Sequence, residues 1–339
     1  MIHNLCVLHI TNQCNLRCKH CYASAGEKLE NELSLKEIKK LIDDLDVLGT
    51  QYIILSGGEP FLHKGFFDIL TYCEKKQIHT MITSNGTLIT DAVAKKLKDY
   101  SYLDSVQVSI DSHDPLKHNN FRGLDDAFQL ALNGIQACIK NGIKVSIMTT
   151  LSKINVDNME DMLTFFSSLG VAGIAFERFV PEGRGLAMKE QALSPQELKM
   201  SLAKLVRLRK KNTKIKVWSN DPLLQFMDKK LNNLTKHYKG SKDICGGCSA
   251  GIIGSCITPD GYVTPCTRLY KRIASIRDHS LKDIWENNAF FQTLRKRKGN
   301  LKGKCGKCEY INVCGGCRAA AYHVSGDVCA EDPSCWLKK

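Results

Sequence analysis

Three cysteines stand together near the start of the chain, in the run Thr11-Asn12-Gln13-Cys14-Asn15-Leu16-Arg17-Cys18-Lys19-His20-Cys21-Tyr22. A C-x3-C-x2-C loop presents three soft thiolates to one metal centre and leaves a fourth coordination position unfilled. Structural zinc takes four protein ligands, so this spacing suits an iron-sulfur cluster with one open iron better. An open iron can bind a reactant, which makes Cys14, Cys18 and Cys21 the candidate catalytic and metal-ligating residues.

A second concentration of thiols lies at the other end, where ten of the sixteen cysteines fall between Cys245 and Cys335. By itself Cys305-x2-Cys308-x5-Cys314-x2-Cys317 reads as a zinc ribbon. Its surroundings shift that reading: Cys248, Cys256 and Cys266 precede it, with Pro259-Asp260-Gly261 as a hairpin turn before Cys266, and Cys335 follows. Cys245-Gly246-Gly247-Cys248 is a good metal-binding turn, but it lacks the βαβ setting of a thioredoxin-like motif. Cys6, Cys73 and Cys138 sit in apolar patterns and read as buried structural thiols.

The elements that must position the first loop are βα units. Six β-rich runs alternate with amphipathic helical stretches: Leu5 to Ile10, Tyr52 to Leu55, Thr80 to Thr83, Val106 to Ile110, Lys144 to Thr149 and Gly173 to Phe176. Ser34 and Glu37 form a capping box before the stripe Leu35, Ile38, Leu41, Ile42, Leu45, and Asn141-Gly142 and Gly170 are C-terminal stops. Repeated βα units imply a parallel sheet, either an incomplete barrel or a doubly wound sheet. In both, the cysteine loop emerges at the C-terminal sheet edge, where active sites lie. Other strand ends bring polar groups to the same edge. Gly57 and Gly58 let backbone amides approach a ligand, and Glu59 offers an acceptor to an amino group. Ser84-Asn85-Gly86 ends the third strand. Ser109-Ile110-Asp111 ends the fourth, where Asp111 offers an acceptor to ribose hydroxyls. Taken singly, a Gly-Gly pair is usually a turn and an Asp after a strand usually a helix cap; their joint placement carries the argument.

A further capped helix opens at Ser194-Pro195-Gln196-Glu197 and runs to about Lys211. The texture changes beyond Lys242 to glycine, cysteine and turn residues, too poor in apolar side chains for a core of their own, so metal is expected to hold that segment. Three regions follow: a barrel-like domain over residues 1–200, a basic helical bridge over 201–244 and a cysteine-rich domain over 245–339.

The formal charge of +13 raises nucleic-acid binding as an alternative. The excess is confined to the C-terminal part: residues 201–243 hold twelve Lys and Arg against three acids, and residues 245–339 hold fifteen against eight. Three 4Fe-4S clusters with three, four and four thiolates would add roughly −1, −2 and −2, giving much of that charge an internal partner. No arginine-aromatic stacking pattern supports nucleic acid. With no apolar run near the ~20 residues of a membrane helix and no signal-peptide pattern at Met1-Ile2-His3-Asn4, a cytoplasmic protein is expected. There, sixteen cysteines point to metal or redox work rather than disulfides.

On Cys14, Cys18, Cys21, the Gly57-Gly58-Glu59-Pro60 run, Ser109 and Asp111, the chain resembles the radical S-adenosylmethionine (SAM) superfamily over about residues 5 to 180. The resemblance implies an α/β fold, an incomplete (β/α)6 TIM-like barrel, whose 4Fe-4S cluster is held by those cysteines and chelates SAM through its open iron. One electron then cleaves the sulfonium bond to methionine and a 5'-deoxyadenosyl radical. By the same resemblance Gly57, Gly58 and Glu59 contact the methionyl amino group, Ser109 and Asp111 face the carboxylate and ribose, and Asn85 is a weaker cofactor-binding candidate. A flavodoxin- or ferredoxin-like electron donor is implied. The C-terminal block, with Gly261-x4-Cys266, Gly315-Gly316-Cys317-Arg318 and Asp332-Pro333-Ser334-Cys335, resembles the SPASM extension of these enzymes. By that pattern one auxiliary cluster takes Cys248, Cys256, Cys266 and Cys317, and another takes Cys305, Cys308, Cys314 and Cys335. Two departures leave alternatives open: Cys314 and Cys317 are separated by two residues where the family usually has three, and Cys245 competes with Cys256.

SPASM enzymes mostly modify ribosomally made peptides or proteins, and some act on tetrapyrroles. Thr267, where sulfatase-maturing relatives carry Asp, disfavours formylglycine formation. The run Phe176-Glu177-Arg178-Phe179-Val180-Pro181-Glu182-Gly183-Arg184-Gly185 is more similar to peptide maturases than to heme-pathway enzymes, and Arg178 and Arg184 are candidates to meet an anionic substrate. The expectation is therefore a peptide-modifying oxidoreductase forming a crosslink such as a thioether. Because the barrel begins almost at Met1, either a separate leader-peptide-binding protein presents the peptide or the substrate is small. Tetrapyrrole side-chain decarboxylation or oxidation is the alternative enzyme. A zinc-bound scaffold or nucleic-acid-binding protein is the alternative of another class.

Overall fold

The computed structural model describes residues 3–211, 214–227, 244 and 246–337. Six strands fall where the β-rich runs predict them: β1 (Leu5–His9), β2 (Tyr52–Ser56), β3 (His79–Ser84), β4 (Leu103–Ser109), β5 (Val145–Leu151) and β6 (Gly173–Arg178). They pair in parallel in the sequential order 1-2-3-4-5-6, which a doubly wound sheet, with its order reversed at a switch point, does not show. A seventh parallel strand, β7 (Lys216–Trp218), extends the sheet at β6. The sheet does not close, so the architecture is a partial TIM-like barrel.

The helices that cover it form for local reasons. Helix α1 (Leu35–Val47) starts at the Ser34/Glu37 capping box, each residue bonding the other's backbone N–H, and buries Ile38, Leu41, Ile42 and Leu45. This reciprocal cap is worth about 1 kcal/mol. Helices α2 (Phe66–Lys75), α3 (Asp91–Leu97), α4 (Pro115–Arg122), α5 (Ala127–Lys140) and α6 (Met159–Ser168) follow, and α7 (Pro195–Lys211) carries the second Ser/Glu cap at Ser194 and Glu197. Gly142 and Gly170 take φ of +79° and +82° just beyond α5 and α6, as helix stops require.

The boundary near residue 244 does not divide the sheet. Strand β8 (Gly254–Ile257) pairs in parallel with β1, and β9 (Tyr262–Thr264) and β10 (Ala274–Ser275) continue antiparallel from it. The Pro259-Asp260-Gly261 turn joins β8 to β9, with Gly261 at φ +85°. Helices α8 (Leu281–Asn287) and α9 (Ala289–Arg295) send Leu281, Ile284, Trp285 and Phe291 into the same apolar core as the barrel helices. The expectation that metal alone holds the cysteine-rich segment is thereby corrected, because it borrows a sheet edge and a core from the barrel. A last helix, α10 (Arg318–Ser325), follows Cys317 directly. Of the basic bridge, α7 and β7 are described; residues 228–243 and Cys245 lie outside the described residues.

Candidate active site and cysteine centres

The cysteine loop leaves β1 at the C-terminal edge and is gripped from three sides. On one side Gly58 donates its N–H to Thr11 O at 2.7 Å, and Glu59 donates to Gln13 O at 2.8 Å. A Cβ on Gly57 would lie 2.4 Å from Thr11 O and one on Gly58 2.3 Å from Gln13 O, so both positions demand glycine for close backbone docking. On the second side, Arg17 and Lys19 donate to the carbonyls of Arg122 and Phe121 at the end of α4. On the third, Arg184 donates its backbone N–H to Cys21 O at 3.0 Å, and a Cβ on Gly183 would strike Tyr22 O. The loop also closes on itself through Cys14 N–H to Gly26 O at 2.8 Å and through Glu32, which accepts from Thr11 and Asn12.

This grip gathers Cys14, Cys18 and Cys21 around Leu16, Ala127 and Leu124. Donors are aimed at two of the sulfurs: Leu16 N–H lies 3.4 Å from Cys14 Sγ, and Arg122 Nη1 lies 3.8 Å from Cys18 Sγ. Burial pushes the Cys14 thiol up to about 12 and raises Cys18 against the pull of Arg122. Such thiols stay protonated until a metal takes them as thiolates.

Arg122 and His20 are the functional candidates that sequence reasoning passed over. Arg122 is buried, pairs with Asp111 at 2.6 Å and leaves its Nε without a hydrogen-bond partner. His20 stacks on Phe121 with ring centroids 4.1 Å apart, its Nε2 lies 3.8 Å from Asp111 Oδ2, and its Nδ1 is unpartnered. Burial brings the His20 imidazole down to about 4, so it is neutral. The buried Arg122 Nε and His20 Nδ1, both without a hydrogen-bond partner beside three thiols, are what a polar ligand would complete. His20 lies inside the motif and was readable there; Arg122 is 104 residues from Cys18 and carries no local signal.

The other predicted residues have protein partners. Glu59 is fully buried, accepting from Ser84 Oγ at 2.8 Å and Asn85 N–H at 2.8 Å, and burial lifts its carboxyl to about 7 against those bonds. Asn85 donates to Asn15 Oδ1 at 2.9 Å, tying β3 to the cysteine loop, and Ser109 is half-buried at the end of β4. Asp111 accepts from Thr150 N–H; burial would raise its carboxyl, but Arg122 and the histidines hold it below the usual range. Arg178 and Arg184, the candidates to meet an anionic substrate, are both engaged by protein groups. Arg184 donates to Cys18 O and Ala25 O, and Arg178 is buried on Asp221 and Asp332.

The C-terminal thiols fall into two sets. Cys248, Cys266 and Cys317 lie close enough to repel one another as thiolates, with Cys256 beside Cys266. Cys305, Cys308, Cys314 and Cys335 line one cavity of about 700 Å³ with Gly315 and Gly316. N–H groups again point at sulfur: Leu269 at Cys266 (3.3 Å), Gly316 at Cys314 (3.4 Å) and Asp332 at Cys305 (3.4 Å). Among the described residues no group of three or more His, Cys, Asp or Glu side chains converges closely enough to hold a single metal ion. Cys6, Cys73 and Cys138 are buried in the apolar core.

Between the first loop and the first C-terminal set stands an aromatic group. His9 Nε2 meets Tyr22 Oη at 3.0 Å and Cys256 Sγ at 3.7 Å, while His9 Nδ1 meets Tyr270 Oη at 3.3 Å.

The radical SAM superfamily model matches residues 8–166, and the SPASM model, an iron-sulfur cluster-binding domain, matches residues 248–309. The AdoMet-dependent heme synthase of Nitratidesulfovibrio vulgaris is 32% identical, with 97% of this chain and 91% of that protein covered. The chain is a radical SAM enzyme with a SPASM domain. This radical SAM protein is also similar to the Fe-coproporphyrin III synthase of Methanosarcina barkeri, at 33% identity over 98% of its length and 88% of the relative's. In structure it matches Streptococcus suis SuiB bound to S-adenosylmethionine with a TM-score of 0.80, covering 99% of this chain and 78% of that one at 17% identity, a likeness of fold. No helix among the described residues is long and apolar enough to cross a membrane.

Proposed function

We propose that this radical SAM protein oxidises carboxylate side chains of a tetrapyrrole, removing a propionate carboxyl. The observation that carries the reading is full-length similarity above 30% to a heme synthase and an Fe-coproporphyrin III synthase. It displaces the expected crosslinked peptide, for which the run at residues 176–185 was the argument: that run packs Gly183 and Arg184 against the cysteine loop and buries Arg178.

Cys14, Cys18 and Cys21 hold the SAM-binding cluster in this reading. Cys248, Cys256, Cys266 and Cys317 hold one auxiliary cluster, and Cys305, Cys308, Cys314 and Cys335 the other. When bound, the first cluster and SAM supply a one-electron cleavage that yields a hydrogen-abstracting fragment. Arg122, a buried cation with an unpartnered Nε, receives the SAM carboxylate, and Asp111 serves that arginine in place of the ribose. Ser109 stays available at the rim, Asn85 steadies the loop, and Gly57, Gly58 and Glu59 set the wall on the methionyl side. Tyr22 and Tyr270, their hydroxyls pinned by His9, present aromatic faces to a flat substrate between two cysteine sets. Conversion of a propionate to a vinyl group would release carbon dioxide, one hydrogen atom and one electron; SAM at the first loop would supply the group that takes the hydrogen atom, and clusters held by the C-terminal cysteines would take the electron.

Anaerobically reconstituted protein, given SAM, a low-potential reductant and iron coproporphyrin III, is expected to form 5'-deoxyadenosine and a porphyrin lighter by the elements of formic acid per side chain. An unchanged porphyrin mass, with a cysteine-containing peptide modified under the same conditions, contradicts the proposal.

A further inference from the structure

Three buried charges lie where the barrel meets the two C-terminal cysteine sets. Arg178, the last residue of β6, is 4% exposed. Its guanidinium donates through Nε and Nη2 to Asp221, the Nη2 bond being 2.9 Å, and through Nη1 and Nη2 to Asp332 at 3.1 and 3.0 Å. Asp221 and Asp332 are 4% and 0% exposed. Burying one cation with two anions is costly and leaves a net negative charge, so a structural reading alone accounts poorly for the arrangement.

Asp332 touches both cysteine sets. Its Oδ2 accepts the Cys317 N–H at 2.8 Å, and its own N–H points at Cys305 Sγ at 3.4 Å. Cys317 faces Cys248 and Cys266, whereas Cys305 lines the cavity with Cys308, Cys314 and Cys335. One residue thus bonds a member of each set, and Arg178 is the cation that faces it. Arg268, paired with Glu177 at 3.3 Å, is the next cation towards Cys317 and Cys266. Arg318 lies 3.7 Å from Cys305 Sγ.

We infer that Arg178 is a positioning residue that, through Asp332, clamps both auxiliary cysteine sets to the end of β6 and sets the reduction potential at each. This rests on the reading that both sets hold iron-sulfur clusters. A fixed cation near a cluster favours the reduced, more negative state, and a carboxylate disfavours it, the more so in a buried site. The bidentate fork also fixes where Asp332 aims its N–H, which lysine reproduces in charge but not in geometry.

The test is an EPR-monitored redox titration, in alkaline buffer, of full-length reconstituted protein carrying Cys14→Ala, Cys18→Ala and Cys21→Ala, so that the auxiliary clusters read alone. Added Arg178→Gln is expected to shift both auxiliary midpoints more negative, Arg178→Lys to restore most of that shift, and Asp221→Asn, which leaves the Arg178 cation less compensated, to shift both more positive. With Cys14, Cys18 and Cys21 intact, the SAM-dependent signal is expected to keep its midpoint in all three variants. Unshifted auxiliary midpoints in Asp221→Asn, or in Arg178→Gln that loads iron, overturn the inference, as does an Arg178→Lys protein indistinguishable from Arg178→Gln. Where Arg178→Gln fails to load iron, Asp221→Asn decides. If the parent protein takes up no iron at Cys248 to Cys335, the cluster reading itself fails, a result distinct from loaded clusters with unmoved midpoints.

Discussion

The three-cysteine loop and the four-cysteine cavity solve one problem in opposite ways. The loop is docked through its peptide groups: glycines at 57, 58, 123 and 183 press against them, and Glu32 and the Arg184 side chain bond to them, with Cys14 and Cys21 partly exposed. At the cavity a charged side chain stands against the sulfurs as well: Arg318 lies 3.7 Å from Cys305 Sγ, and Asp332, whose backbone N–H points at the same sulfur, is held by Arg178. Rigid backbone with an accessible face suits a centre that must admit a reactant. A full set of four thiols beside buried charge suits one that passes electrons.

The largest effect that separates the two comes from removing ligands. Cys18→Ser is expected to reduce 5'-deoxyadenosine formation to background while the C-terminal sets keep their iron, and Cys314→Ser to leave SAM cleavage measurable while product formation is lost. Iron content and both products, measured on each variant, check this; loss of SAM cleavage in both variants alike would erase the distinction. A smaller effect is expected of the docking glycines. Gly58→Ala would place a Cβ 2.3 Å from Gln13 O and 2.6 Å from Asn12 O, against backbone that cannot yield cheaply. A loss of about 1–3 kcal/mol follows, seen as a lowered thermal midpoint together with weakened SAM binding. Gly142→Ala, with open space around its Cβ, is expected to pay only for its φ of +79° and to leave SAM binding alone.

Next in size is a pH effect at Glu59. Its carboxyl titrates at about 7 in the fold against an ordinary 4.5, so between those values the folded protein holds a proton that the unfolded chain releases. This group therefore makes stability fall as pH rises from about 4.5 to about 7, and Glu59→Gln is expected to flatten that part of the pH profile of thermal unfolding. The smallest effect is expected of Tyr270→Phe, which removes the hydroxyl bonded to His9 Nδ1 but keeps the ring. Porphyrin binding, followed by absorbance, should weaken less than in Tyr270→Ala.

The loop, the six βα units, the two Ser/Glu caps and the glycine stops were readable in the sequence because each is a local pattern, set by residues a few positions apart. What escaped it is non-local. No periodicity announces that β8 will pair with β1, with Leu5 set against Gly254, or that the cysteine-rich segment will bury Trp285 in the barrel's core. Arg122 reaches Cys18 only because α4 folds back under the loop, and Arg178 looked like a substrate cation until Asp221 and Asp332 closed on it. Glycines 57 and 58, read from the sequence as letting backbone amides approach a ligand, are in the fold pressed against the chain's own loop. The full-length relatives favour the tetrapyrrole alternative over the expected peptide, and of the residues at 176–185 Gly183 and Arg184 pack on the cysteine loop while Arg178 is buried on Asp221 and Asp332.

The account depends most on the loop's centre having an iron that no cysteine fills. EPR of the reduced, anaerobically reconstituted protein with and without SAM tests this directly. Added SAM is expected to change the signal of the cluster at Cys14, Cys18 and Cys21 and to leave the auxiliary signals of the triple Cys→Ala protein as they were. A full complement of iron whose spectrum ignores SAM would contradict it.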